Sequence, residues 1–166
     1  MKFPKTLAIC RKVCYNKKRC QNRKGEANME EPVRGSDLPS VSALAYLGDA
    51  VHSLDMRRRA VLSGLSRAED LHGFVTGYVN AAAQSRMAAA LLPRLTEEER
   101  ALFRRASNYR HLQRPKHMSI ADYRRATGFE ALLGMLSHLG RTERLAELLE
   151  AAYQSEKEDR TSDTEN

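Results

Sequence analysis

The chain has 166 residues, with 28 Lys and Arg against 21 Asp and Glu, a formal net charge of +7, and 42% apolar residues. That length suits one domain with extensions rather than two, and no apolar run approaches the roughly 20 residues of a membrane span. Cys10, Cys14 and Cys20 all precede residue 21, so a disulfide scaffold is excluded.

The charge is unevenly placed. Residues 1–28 carry nine basic residues and one acid, so the leader holds the whole positive excess. Its apolar stretch is too short for a signal peptide, it lacks the serines of a transit peptide, and its cysteine spacings match no common zinc pattern. A basic, disordered extension over 1–38, or an upstream start before Met29, is the expectation. Nothing in it indicates export, so a cytoplasmic protein with reduced thiols is expected. A second basic stretch, Arg100 to Arg125, has eight basic residues and one acid, Asp122. A local excess of this kind in an otherwise neutral body suits a phosphate-binding surface, although a solvated helix face has the same composition.

From Pro39 to Tyr153 the periodicity predicts an all-α domain. Leu44, Leu47, Val51 and Leu54 recur at helical spacing, and Gly64-Leu65 ends that helix. Ser66 with Glu69 forms the pattern of a capping box, as does Thr96 with Glu99. Between them, Asn80 can cap an alanine-rich helix that stops near Pro93. Residues 111–118, with Pro115 inside, read as a loop. Ser119 can cap a helix that ends before Gly140, with an apolar stripe of Phe129, Leu132, Leu133, Leu136 and Leu139. Thr142 starts a last helix to about Gln154, and 154–166 reads as an acidic disordered tail.

Two acids stand out. On a helical wheel Asp49 lies opposite the Leu44/Leu47/Val51/Leu54 stripe, on the side of Ala45, Gly48 and His52. Glu130 lies about a quarter turn from its own helix's stripe, near Gly134 and Thr127. A glycine inside a helix costs about 1 kcal/mol relative to alanine, and close approach of another backbone or a ligand justifies it. If these sides pack together, Asp49 and Glu130 could share a divalent cation such as Mg²⁺. Taken alone, the residues are better explained as two surface acids on amphipathic helices.

The segment Leu44-Ala45-Tyr46-Leu47-Gly48-Asp49-Ala50-Val51 resembles the signature helix of the ribonuclease III family, most closely its short form, Mini-ribonuclease III. Leu91 to Glu99 is similar to that family's middle linker, Phe103 to Asn108 to its basic segment, and Pro115-Lys116 to its Pro-Lys turn. Tyr123 to Gly134, containing Thr127, Gly128, Phe129, Glu130 and Ala131, resembles its second acidic helix. The likeness covers about residues 39–153 in order. It implies a dimerising ribonuclease III-like catalytic domain over 39–153, with Asp49 and Glu130 as the catalytic acids that bind Mg²⁺. Ala45 and Thr127 would occupy the positions of two further acids found in the full-length enzymes.

The resemblance further implies cleavage of double-stranded RNA by a homodimer, leaving 5′-phosphate and 3′-hydroxyl ends. The implied role is maturation of the 23S (large-subunit) ribosomal RNA precursor, with possible assistance from a ribosomal protein, and no membrane is involved. Arg104, Arg105, Asn108, Lys116, Arg124 and Arg125 are the expected RNA contacts, since A-form RNA is held through phosphates and shape. The chain departs from the family at Ala106, Ser107 and His117, which bears on RNA contact, and at His52-Ser53, which bears on packing. Tyr46, Tyr109 and Tyr123 are expected in the core or at the dimer contact, and His72 and His138 as packing or surface residues. The alternatives are a catalytically silent RNA-binding module of the same fold and a helical DNA-binding regulator.

Overall fold

A computed structural model of the chain describes residues 38–109 and 119–162. The basic leader with its cysteines, and the loop bearing Lys116 and His117, lie outside the described residues. The rest belongs to one unit spanning Gly35–Asn166 and is helical: α1 Val41–Leu62, α2 Ala68–Val79, α3 Ala81–Leu91, α4 Glu97–Ser107, α5 Ile120–His138 and α6 Thr142–Ser162. A 3-10 turn, Leu92–Arg94, carries Pro93 between α3 and α4. Among the described residues there is no strand, and no helix is long and apolar enough to cross a membrane.

Most boundaries follow local chemistry. Ser40, Asn80 and Ser119 each accept a hydrogen bond from the backbone N–H three residues on. Thr96 and Glu99 close a reciprocal capping box at α4. Gly64, at φ 85°, turns the chain after α1. The box at Ser66 does not form. α2 starts at Ala68, which makes Arg67 the N-cap and leaves it without a side-chain cap.

The centre of the fold is α5. It is buried nearly all round from Ala126 to Leu136, so its expected stripe is only part of a fully enclosed helix. α1, α3 and α4 pack directly on it. In α1 the inward face is Val41, Leu44, Ala45, Gly48, His52, Met56 and Ala60. The expected stripe is therefore rotated. Leu44 points inward, but Leu47 and Val51 are half-buried and Leu54 is 52% exposed, because α5 is met by the small-residue side of α1.

The acidic tail is also corrected in part. α6 continues two turns past Gln154, to Ser162. Glu156 in this extension is fully buried and accepts two hydrogen bonds from Arg86 of α3. Arg160 lies over the Tyr78 ring at 4.8 Å and donates to the Gly77 carbonyl. These contacts draw helix out of a segment whose composition alone reads as solvated.

Candidate active site

α1 and α5 cross at Gly48 and Gly134. A Cβ on Gly48 would lie 1.7 Å from the carbonyl oxygen of Glu130, and one on Gly134 would lie 1.9 Å from that of Leu44. No residue but glycine permits such an approach, and the obstacle is backbone that cannot swing aside. The crossing sets the site's geometry: Asp49 follows Gly48 in the chain, and Glu130 presents its own carbonyl to that glycine.

The two carboxylates are close enough to influence each other. Glu130 is pushed up to about 7, first by burial and then by the negative charge of Asp49, with the Gln84 amide acting weakly in the opposite direction. Asp49 itself is exposed and Glu130 half-buried, so the pair lies in an open notch rather than a sealed pocket. Among the described residues neither acid has an ion-pair partner. No described cluster of three or more metal-ligating side chains exists either. Ala45 and Thr127, where the resemblance would place further acids, are both buried.

Two neighbours of the acids escape a reading by sequence. Gln84 on α3 is 2% exposed and beside Glu130, yet its Nε2 makes no hydrogen bond of normal geometry. The sequence signal was available: Gln84 stands in the helical row of Met87, Ala88 and Leu91, an apolar face where an amide is out of place. Tyr123, expected to pack, is half-buried, and its phenol is pushed up by burial and by the charge of Glu130. Of the other tyrosines, Tyr109 packs partly on the core, whereas Tyr46 is 84% exposed and no part of it.

His52 lies on the buried side of α1, edge-on to Phe129 with ring centroids 5.1 Å apart. Neither ring nitrogen has a hydrogen-bond partner among the described residues. Burial, and secondarily the nearby Arg59 charge, hold it down to about 4, so it is a neutral packing residue. His72 and His138 are on the surface.

The expected RNA contacts divide into groups. Arg104, Asn108 and Arg125 line one pocket at the α4–α5 contact together with Arg100 and Phe103. Arg105 and Arg124 are exposed and do not line it, and Lys116 lies outside the described residues. Ala106 is not on an RNA-facing surface: at 1% exposure it packs in the core, which accounts for a small apolar residue there.

The chain matches the Ribonuclease III domain family over residues 42–141. A crystal structure of a Fusobacterium nucleatum protein superposes with a TM-score of 0.63 at 28% identity, covering 70% of this chain and 93% of that one. Sequence match and helical fold together define an endoribonuclease of the ribonuclease III class. Mini-ribonuclease 3 of Symbiobacterium thermophilum is 44% identical over 115 residues, 69% of this chain and 88% of that protein. The Brevibacillus brevis Mini-ribonuclease 3 is 39% identical over 124 residues, 75% and 92% of the two chains. The chain belongs to the Mini-ribonuclease 3 family.

Proposed function

We propose that this endoribonuclease cuts double-stranded RNA in a Mg²⁺-dependent reaction at Asp49 and Glu130, and that it matures the 23S (large-subunit) ribosomal RNA precursor in the cytoplasm. The observation that carries this reading is the uncompensated pair of acids beside the Gly48/Gly134 crossing, where burial and, second to it, the Asp49 charge raise the pKa of Glu130. Two nearby carboxylates without a basic partner fit a divalent cation, and Mg²⁺ needs few protein ligands because it retains waters and takes phosphate oxygens. Such an ion supplies Lewis acidity for hydrolysis of a phosphodiester, giving 5′-phosphate and 3′-hydroxyl ends.

The chain's own part is positional. Asp49 and Glu130 hold the ion, Gln84 lies beside the Glu130 carboxylate with an amide free to turn towards it, and Arg104, Arg105, Asn108, Arg124 and Arg125 grip phosphates, joined by Lys116. A homodimer supplies the second site for the opposite strand. Support for it comes from α1, where Leu47, Val51, Leu54 and Val61 form a row that the chain itself leaves incompletely covered. A second copy of α1 would cover it.

The test is incubation of the full chain with a ribosomal RNA precursor, with Mg²⁺ and then with EDTA, followed by mapping of the ends. Cutting is expected with Mg²⁺ only, and the Asp49→Asn variant is expected to lose about 10²–10³-fold in rate, the scale of losing a main electrostatic contributor. Tight RNA binding without cutting would instead establish a catalytically silent binding module.

A further inference from the structure

The pocket at the α4–α5 contact has a volume of about 410 Å³. Leu92 gives it an apolar wall and the core residue Phe103, 5% exposed, its floor, Arg100, Arg104 and Arg125 stand around it, and Ser107 and Asn108 close the end of α4. Sites for small organic ligands run from roughly 300 to 1,000 Å³ and combine apolar walls with a few polar groups. Among the described residues two polar atoms in this set have no hydrogen-bond partner, the buried Ser107 Oγ and Arg100 Nε. Gly128 lets α4 seat closely on α5 beneath the pocket, since a Cβ there would lie 2.5 Å from Ser107 Oγ and 2.9 Å from the Phe103 ring.

The walls select the ligand. Arg100 already donates to the Leu92 and Leu95 carbonyls, which leaves two guanidinium groups, and inorganic phosphate has no use for Leu92 and Phe103 while a purely apolar group has none for Arg104 and Arg125. A nucleotide satisfies both, with a flat base for the apolar wall and a phosphate for the arginines. Arg104 and Arg125 are available for it. Their present partners, Glu97 at 2.8 Å and Asp122 at 3.5 Å, form exposed pairs of little intrinsic strength. A base inside an A-form duplex is stacked and out of reach, whereas an unpaired one can be splayed out and stacked on an aromatic ring or a guanidinium plane. Arg125 precedes Glu130 by five residues, about 7.5 Å along the axis of α5, so the pocket flanks the acids rather than containing them.

We infer that this pocket takes one unpaired nucleotide of the RNA, its base against Phe103 and Leu92 and its phosphate on Arg104 and Arg125. The enzyme would thus favour duplexes bearing a bulged nucleotide near the cut. This inference rests on the RNA-cleaving reading for its biological use, but the pocket's ligand can be tested separately.

Full-length Asp49→Asn protein is titrated by NMR with uridine 5′-monophosphate, uridine and inorganic phosphate. It is also titrated by fluorescence anisotropy with two hairpins that differ by a single bulged nucleotide. The monophosphate is expected to bind at least tenfold tighter than uridine or phosphate, with shifts at Phe103, and the bulged hairpin at least fivefold tighter than the paired one. Both advantages are expected to vanish in Leu92→Trp and in Ser107→Arg, each of which fills the pocket. Equal binding of phosphate and monophosphate, equal binding of the two hairpins, or advantages that survive both substitutions overturn the inference. Failure of the nuclease reading would appear elsewhere, as wild-type protein that cuts neither hairpin in Mg²⁺.

Discussion

Glu99 and Glu130 are both glutamates on helices packed against the core, and their surroundings are opposite. Glu99 accepts two hydrogen bonds of 2.9 Å from the Arg144 guanidinium and a third from the Thr96 backbone N–H. Burial alone would raise its pKa, but Arg144 and Thr96 hold it below the usual carboxylate range. Glu156 at the far end of α6 has a similar partner in Arg86. Glu130 has burial and a second acid instead, and its pKa goes up. Compensated acids lock helices together, whereas an uncompensated one stores unfavourable energy that a bound cation can release.

The sharpest way to break this contrast is at the crossing itself. Gly134→Ala forces a Cβ into the Leu44 carbonyl, and a loss of about 4 kcal/mol or more is expected by urea unfolding, near the top of the range for single substitutions. Arg144→Ala strands the buried Glu99 carboxylate and is expected to cost about 3 kcal/mol in the same assay. A loss below about 1 kcal/mol would place Glu99 with ordinary surface acids.

His52 adds a pH dependence. Its folded pKa, about 4, is below the usual 6.5, so only the unfolded chain takes up the proton in between. Stability is present above pH 6.5 and falls as pH drops towards 4, by up to about 3 kcal/mol from this residue. The stability difference between wild type and His52→Leu is expected to change by that amount between pH 7 and pH 4. A constant difference would show that the His52 ring finds solvent or a partner.

The smallest effect has the opposite sign to most substitutions. Glu130 is raised, so its contribution is present below pH 4.5 and is lost as pH rises through about 7. Without divalent cation, Glu130→Gln is therefore expected to stabilise the protein at pH 8 by about 1–2 kcal/mol and to change little at pH 4.5. Destabilisation at pH 8 would make Glu130 a structural acid of the Glu99 kind.

Much of this was legible in the residues. The caps at Asn80, Thr96 and Ser119 and the break at Gly64 fix helix ends by local chemistry, which sequence records directly. Gly48 and Gly134, costly inside helices, pointed to a close approach. What was hidden depends on partners. The Leu47/Val51/Leu54 row reads as core because periodicity reports a stripe without saying what covers it. The acidic end of α6 reads as tail because Glu156 is paired from 70 residues away. Gln84 and the α4–α5 pocket arise only when α3 and α4 are laid on α5.

The apposed glycines carry one consequence for how the enzyme fails. Because main chain touches main chain there, the backbone spacing of Asp49 and Glu130 is tied to the docking of α1 on the central helix. Loss of that docking removes the most extensive helix contact among the described residues and at the same time separates the two acids. If the proposed site is the working one, heat inactivation and global unfolding are expected to share a midpoint.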